Sequence, residues 1–204
     1  GFDLEGLATG HATVLSPDGQ RGLLMSLTCD SVKVAGHPLG TLSLTSSWED
    51  GEDKFHFTAF NNLQGSNTLA LTGDFFTRTK AIDAVVDLNG MNVGYVSPVL
   101  STIFSEMGGG ASGRIRVQGP FKNLSLSSEN ARFDNVLLKV GFTNVPYYVT
   151  GPFHVNNNGL YFDSMAIKDN YDGTGTISGG VLFNRLKDFR MDTRISMNRM
   201  EALD

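Results

Sequence analysis

Four histidines and one cysteine are the residues of this 204-residue chain best suited to metal chemistry. A zinc site needs histidine, cysteine or carboxylate side chains that converge, commonly as pairs a few positions apart. His11, His37, His56 and His154 are spread along the chain, and none has a second histidine or a cysteine at such a spacing. The pattern favours surface or turn histidines, and we predict no metal and no cofactor.

The segment 169–173 reads Asp-Asn-Tyr-Asp-Gly, which is similar to the start of a calcium-binding loop. Such a loop is closed at its last position by a glutamate that binds the ion through both oxygens. The corresponding residue here is Gly180, so a hairpin turn is favoured. The acidic run at 49–53 is interpreted in the same way, as a solvated turn.

The sequence contains no recognisable motif for nucleophilic catalysis. A Gly-x-Ser-x-Gly motif is absent. The glycine run at 108–110 follows a predicted helix, whereas a phosphate-binding loop precedes one. Sequence alone does not exclude paired carboxylates of the glycosidase type, although the acidic residues mostly alternate outward or lie in turns. We predict that the chain is not an enzyme.

Alternation of apolar and polar residues dominates the chain. From Phe189 to Met197 the odd positions are apolar apart from Thr193, and the even positions are polar. A period of two is typical of a strand with one apolar face. Similar stretches recur throughout and are separated by turn dipeptides, namely Asp18-Gly19, Asp50-Gly51, Asn158-Gly159 and Asp172-Gly173. The sequence therefore predicts an all-β fold built as a long antiparallel meander.

One segment has the spacing of an amphipathic helix, with apolar residues three and four positions apart. Ser97 fits the N-cap, Pro98 the first helical position and Gly108 the position after the helix. We predict a helix near 97–107 that is either a cap, the favoured interpretation, or a lid hinged at 108–110. Its apolar residues are Val96, Val99, Leu100, Ile103, Phe104 and Met107.

The chain as a whole is interpreted as one segment of a larger protein. It begins without methionine, and a subdivision is predicted only at 90–112, between strands of 1–89 and 113–204. The net charge of −5 argues against nucleic acid as a partner. No apolar run approaches the ~20 residues of a transmembrane helix.

Several motifs of the second half, in their order, resemble one known family. Residues 111–126 read ASGRIRVQGPFKNLSL, residues 160–169 read LYFDSMAIKD and residues 173–179 read GTGTISG. This order is similar to the C-terminal region of the TamB family, the translocation and assembly module proteins, in a Bacteroidetes-type form. The resemblance covers residues 31–204 and is looser in the first half.

The resemblance implies a fold, a location and partners. TamB-like proteins resemble AsmA-like and bridge-like lipid transfer proteins, whose sheet curls lengthwise into an open trough, or β-taco, with an apolar interior. The family is anchored in the inner membrane and crosses the periplasm, so a periplasmic segment without its anchor is implied. The implied partners are phospholipid acyl chains and, through regions outside this segment, an outer-membrane TamA-like barrel.

The alternation assigns one apolar face to the predicted sheet. By pattern alone this face favours the closed core of a sandwich, whereas the resemblance favours a lipid groove. The implied function is conduction of acyl chains between membranes in support of outer-membrane assembly. An alternative is a scaffold that holds barrel strands by β-augmentation, and a weaker one is a β-rich carbohydrate-active or adhesin domain. The predicted groove residues are Leu69, Leu71, Ile82, Val86, Leu88, Ile115, Val117, Leu124, Leu126, Val149, Leu160, Phe162, Ile177, Phe189, Met191, Ile195 and Met197.

Overall fold

The computed structural model describes residues 4–15, 22–49, 51, 53–184 and 187–199. Within these ranges thirteen strands form one antiparallel sheet that is not closed into a barrel. Sequential strands are neighbours throughout, except that β9 pairs with β11 and the short β10 pairs with β11 alone. The prediction of an all-β antiparallel meander is confirmed.

The strands have the following bounds: β1 Leu4–Leu15, β2 Gly22–Val34, β3 His37–Glu49, β4 Lys54–Asn62, β5 Leu69–Phe76, β6 Ala81–Asn92, β7 Phe104–Pro120, β8 Ser125–Val140, β9 Pro146–Pro152, β10 His154–Asn156, β11 Gly159–Lys168, β12 Thr174–Asn184 and β13 Lys187–Asn198. Between β6 and β7 lie a 3-10 turn, Val93–Val96, and helix α1, Ser97–Leu100. Of the predicted turn dipeptides, Asp18-Gly19 and Asp50 lie outside the described residues.

The chain divides into two compact units. The first unit comprises Asp3–Asp87 and Arg116–Ser125, and the second comprises Leu88–Ile115 and Leu126–Asp204. The predicted subdivision at 90–112 stays a prediction, and these residues all belong to the second unit. No helix among the described residues is long and apolar enough to cross a membrane.

The first unit shows how alternation separates the two faces of a sheet. Residues directly opposite one another on paired strands project from the same face. One cross-strand row consists of Leu27, Leu44, Ala59 and Leu71, whereas the row beside it consists of Ser26, Thr45, Thr58 and Thr72. One face is therefore apolar in this region and the other carries hydroxyl groups.

The second unit contains a core of buried apolar residues, among them Val136, Val149, Met165 and Ile177. Two strands of this unit are interrupted by irregularities. Pairing of β8 with β9 shifts between Phe133 and Val136, and pairing of β11 with β12 shifts between Phe162 and Met165. An extra residue in one strand changes the face of the sheet from which the following side chains project.

The predicted helix is present but much shorter than expected. Helix α1 ends at Leu100, and β7 begins at Phe104, so the extension to residue 107 is wrong. Phe104 and Met107 are both buried and lie three positions apart on this strand, a spacing that also fits one face of a helix. The spacing of the apolar residues therefore did not distinguish the end of the helix from the start of the strand.

The three glycines after the predicted helix also have a different role. Gly108–Gly110 lie within β7 and do not form the expected flexible join. Gly109 has a φ of 88°, and a Cβ atom there would lie 2.5 Å from the carbonyl oxygen of Asn135 on β8. Glycine is needed because it alone accepts both this conformation and this close approach.

Candidate functional site

An apolar cavity of about 440 Å³ lies in the second unit. Every residue that lines it is aliphatic, aromatic or methionine. Each of the strands β6 to β13 contributes at least one of these residues. The lining residues are Leu88, Met91, Val93, Val96, Val99, Leu100, Phe104, Met107, Ala111, Ile115, Leu126, Phe133, Val136, Leu138, Val149, Phe153, Val155, Leu160, Phe162, Met165, Ile177, Val181, Phe183, Phe189 and Met191.

The composition of this lining requires that the sheet of the second unit be curled. Leu88 lies on β6 and Phe189 on β13, which are separated by six strand-to-strand steps in the sheet order. In a flat sheet that separation is roughly 30 Å at the usual strand spacing. Both side chains nevertheless line one cavity, so the strands of this unit curve around it.

Helix α1 and the 3-10 turn before it complete the lining at one end. Val93 and Val96 from the 3-10 turn and Leu100 from the helix face the cavity. Asn92 is the N-cap of the 3-10 turn, and its side-chain oxygen accepts a hydrogen bond of 2.8 Å from the Gly94 amide. Pro98 stands at the first turn of the helix, where its missing amide hydrogen costs nothing. These local interactions place the apolar side of the segment over the sheet.

The structure brings together nine of the seventeen predicted groove residues. They line the cavity from β6, β7, β8, β9, β11, β12 and β13. Five of the six predicted cap residues line it as well, and the sixth, Ile103, packs against the same core. The nine groove residues are Leu88, Ile115, Leu126, Val149, Leu160, Phe162, Ile177, Phe189 and Met191.

The remaining predicted groove residues lie elsewhere. Ile195 packs against the core cluster of the second unit, and Met197 is 42% exposed. The others belong to the first unit, where each is partly buried, and none lines the cavity: Leu69, Leu71, Ile82, Val86, Val117 and Leu124.

Sequence reasoning missed several lining residues because it assumed an uninterrupted period of two. Phe133 and Met165 are examples, since each follows a residue with a left-handed backbone. The backbone of Asn130 has a φ of 50° and that of Ser164 a φ of 49°. Asparagine tolerates this conformation better than most residues, so Asn130 was the available signal for Phe133.

The cavity lining includes none of the residues of the two polar clusters described next. On the first unit, Asp74 Oδ1 accepts a hydrogen bond of 2.9 Å from His56 Nδ1, and Asp74 Oδ2 accepts one of 3.1 Å from Lys54 Nζ. Burial raises the pKa of Asp74, but the hydrogen bonds and charges of His56 and Lys54 outweigh it, so the pKa lies below its usual value. We interpret this cluster as a structural ion pair.

The acidic segment at 169–173 is a hairpin turn between β11 and β12, as predicted. Asp169 is buried, and its Oδ1 atom accepts hydrogen bonds of 2.8 Å from the amides of Tyr171 and Gly173. The carboxylate therefore organises the turn. Within the described ranges no three histidine, cysteine or carboxylate side chains are grouped so that they could hold a metal ion.

The fold and the cavity define a class of protein: an all-β protein whose open antiparallel sheet curls, in one unit, around an apolar chamber. Comparisons with protein-family models, with curated proteins and with solved structures find no match to this chain. The apolar cavity is therefore the feature of this protein that indicates its function.

Proposed function

We propose that the second unit binds the acyl chain of a lipid in its apolar cavity. The observation that carries this proposal is the combination of size and chemistry: about 440 Å³ of space with an entirely apolar lining. An apolar cavity of 150 Å³ stays dry and accepts benzene. A cavity about three times larger therefore suits a longer apolar group, and the lining supplies no polar side chain to hold a sugar, nucleotide or peptide.

The hydrophobic effect supplies the free energy of such binding. Each methylene group removed from water contributes about 0.8 kcal/mol, so a sixteen-carbon chain gains on the order of 12 kcal/mol if it is fully buried. A lipid that crosses water without cover faces most of this amount as a barrier. A curled sheet with one apolar face lowers the barrier and leaves the head group in contact with solvent.

At the level of the whole protein, we propose that the chain is a lipid-handling segment of an envelope protein of the TamB type. The motif order of residues 31–204 supports this proposal, and so does an open all-β meander. In this proposal the segment works in the periplasm as part of an inner-membrane-anchored protein. It passes phospholipid acyl chains toward the outer membrane and supports outer-membrane protein assembly together with a TamA-like barrel.

A second candidate function is the holding of extended strands by β-augmentation. It is favoured by β1, which is an edge of the sheet. The burial of its side chains is described from Leu4 to Val14, and all of them are exposed, including Leu4 and Leu7 at 68% and 71%. An unpaired edge with apolar side chains offers both hydrogen bonds and contacts to an added strand.

The acyl-chain proposal is tested by placing a charge in the cavity. Phe189→Asp puts a carboxylate against an apolar lining, and we expect the dissociation constant for a fluorescent fatty acid to rise at least about tenfold. Native mass spectrometry of the purified protein should show bound lipid in the unsubstituted chain and none in this variant.

The matched control is Ser196→Asp, because Ser196 is exposed on the same strand. This variant should keep both the bound lipid and the probe affinity. Equal probe binding by a folded Phe189→Asp variant would contradict the proposal.

The second candidate is tested by placing proline at Ala12 and at Thr13 in turn. The amides of neighbouring strand residues point in opposite directions, so one of the two substitutions should remove an amide that points away from β2. That variant should lose strand binding and keep acyl-chain binding.

A further inference from the structure

The strongly exposed large hydrophobic side chains of the second unit share one end of it. Within the part of this unit that the structure describes they are Phe142, Tyr171 and Met197, which are 92%, 72% and 42% exposed. Phe142 lies in the turn between β8 and β9, and Tyr171 in the turn between β11 and β12. Met197 lies opposite Gly175 at the start of β12, beside the second of these turns.

The strand order shows that the two turns are close together. β8, β9, β11 and β12 are successive neighbours in the sheet, and Lys168 at the end of β11 is paired with Tyr148 near the start of β9. The two turns are thus two strand spacings apart, roughly 10 Å. The 3-10 turn and α1, which line the cavity, precede β7 at this same end, and the Gly141 amide donates a hydrogen bond of 3.0 Å to the carbonyl of Ile103.

Hydrogen bonds donated by backbone amides hold both of these turns in place. In the first turn the amide of Asn144 donates to the carbonyl of Val140 at 2.9 Å. In the second turn the carboxylate of Asp169 accepts the two amides described above. The aromatic rings are therefore presented to solvent by ordered turns, which lowers the entropy lost when they bind a surface.

The opposite end of the unit has different chemistry. The turn between β10 and β11 consists of Asn157 and Asn158, and Asn184 ends β12 there. Among the described residues this end presents amide side chains at positions where the other end presents rings. The contrast indicates that one end is adapted to an apolar or interfacial environment.

Among the described residues, the charges at the aromatic end balance. The cations there are Lys139, Lys168 and Arg199, and the carboxylates are the exposed Glu106 and Asp172 together with the buried Asp169. The chain as a whole has a formal net charge of −5. An anionic surface would repel the molecule as a whole, whereas a zwitterionic surface would not.

We propose that this end of the second unit docks on a zwitterionic phospholipid surface, with Phe142 and Tyr171 inserted at the level of the head groups. Aromatic side chains favour this interfacial zone, where a ring meets apolar groups and a hydroxyl meets water. Met197 adds a third apolar contact. The docking site lies beside the helical segment that lines the cavity. It is a separate site from the cavity, although the two together would serve transfer of a lipid.

The first test is co-flotation of the full chain with phosphatidylcholine vesicles. The double variant Phe142→Ser, Tyr171→Ser should show at least about tenfold weaker partition, because it loses the burial of two rings. Phe121→Ser is the matched control, since Phe121 is a 58% exposed turn aromatic of the first unit. The control should bind vesicles as the unsubstituted chain does.

The second test reports insertion directly. Trp48 is the only tryptophan, so Phe142→Trp in a Trp48→Phe background places a single fluorophore at the tip. Its emission should shift to the blue on addition of vesicles and be quenched by brominated lipid. An unshifted emission, a requirement for anionic lipid, or unchanged flotation of the double variant would each overturn the proposal, as would binding to a protein partner alone.

These outcomes are distinguishable from those of the acyl-chain proposal. The tip variants are those that substitute Phe142 or Tyr171. They should bind a fluorescent fatty acid in solution with unchanged affinity, since neither residue lines the cavity. Phe189→Asp should lose the fatty acid and keep its partition to vesicles. Loss of both properties in the tip variants would contradict the separation of the two sites.

Discussion

Individual residues of this chain matter mainly where they break the regularity of the strands. Asn135 and Ser164 adopt left-handed backbone conformations at the two register shifts, and each shift turns a following side chain into the cavity. The ionisable residues have a different role. Asp74 stabilises the first unit through His56 and Lys54.

The pKa of Asp74 leads to a pH-dependent prediction. Because this pKa is lower in the folded protein than the ordinary value of 3.8, the carboxylate stabilises the fold above that pH, and its contribution is lost as the pH falls through the folded pKa. Asp74→Asn should therefore lower the free energy of unfolding by up to about 1 kcal/mol at neutral pH.

Urea unfolding of both proteins, at pH values above and below 3.8, measures this difference. The two unfolding free energies should converge at the acidic end of the series. A gap of constant size at every pH would show that the substitution acts through packing and that the carboxylate charge is irrelevant.

At the scale of elements, the short helical segment is a cap. It comprises only the 3-10 turn Val93–Val96 and α1, Ser97–Leu100, and its apolar side chains line the cavity. Such a short helix cannot be stable alone and depends on packing against the sheet. The cap was the favoured interpretation, and the glycines that would form a hinge in the lid alternative lie within β7.

Removing the apolar side of the cap should affect both stability and binding. Val99→Ser with Leu100→Ser removes two partly buried side chains from the cavity lining. We expect a loss of about 1–3 kcal/mol in the free energy of unfolding and weaker binding of a fluorescent fatty acid. Thermal unfolding and a probe titration measure the two effects.

The control for this variant is Ser101→Ala with Thr102→Ala, because both residues are exposed in the following turn. Stability close to that of the unsubstituted chain is expected for the control. If the cap variant matched it in both measurements, the segment would have no role in closing the cavity.

At the scale of the whole molecule, the two units differ in the function that they can support. The second unit contains the cavity, whereas the first has one hydroxyl-bearing face, an apolar face in part exposed, and the free edge strand β1. The acyl-chain proposal therefore concerns residues 88–115 and 126–199, and the strand-holding alternative concerns the first unit.

Hydrogen exchange should separate the units. Addition of a sixteen-carbon fatty acid should slow amide exchange in β8, β9, β11 and β12, because a ligand stabilises the state to which it binds. Exchange in β2 to β5 should be unchanged. Mass spectrometry of peptic fragments measures both, and protection confined to the first unit would place the ligand outside the cavity.

The alternation of side chains was enough to predict the class of fold. Each strand needs one apolar face, and glycine with asparagine or aspartate marks many of the turns, so the all-β antiparallel meander follows from local pattern. Local pattern also identified Leu160, Phe162, Ile177, Phe189 and Met191 as residues of the apolar face. These features depend on neighbouring residues only.

The tertiary structure decided the features that depend on distant contacts. The left-handed residues Asn130 and Ser164 interrupt the period of two in their strands, so Phe133 and Met165, which follow them, reach the cavity. Gly109 approaches β8 closely within β7, a contact between residues far apart in the sequence. Curling of β6 to β13 around one chamber depends on the summed twist and irregularities of many strands, which no single stretch of sequence encodes.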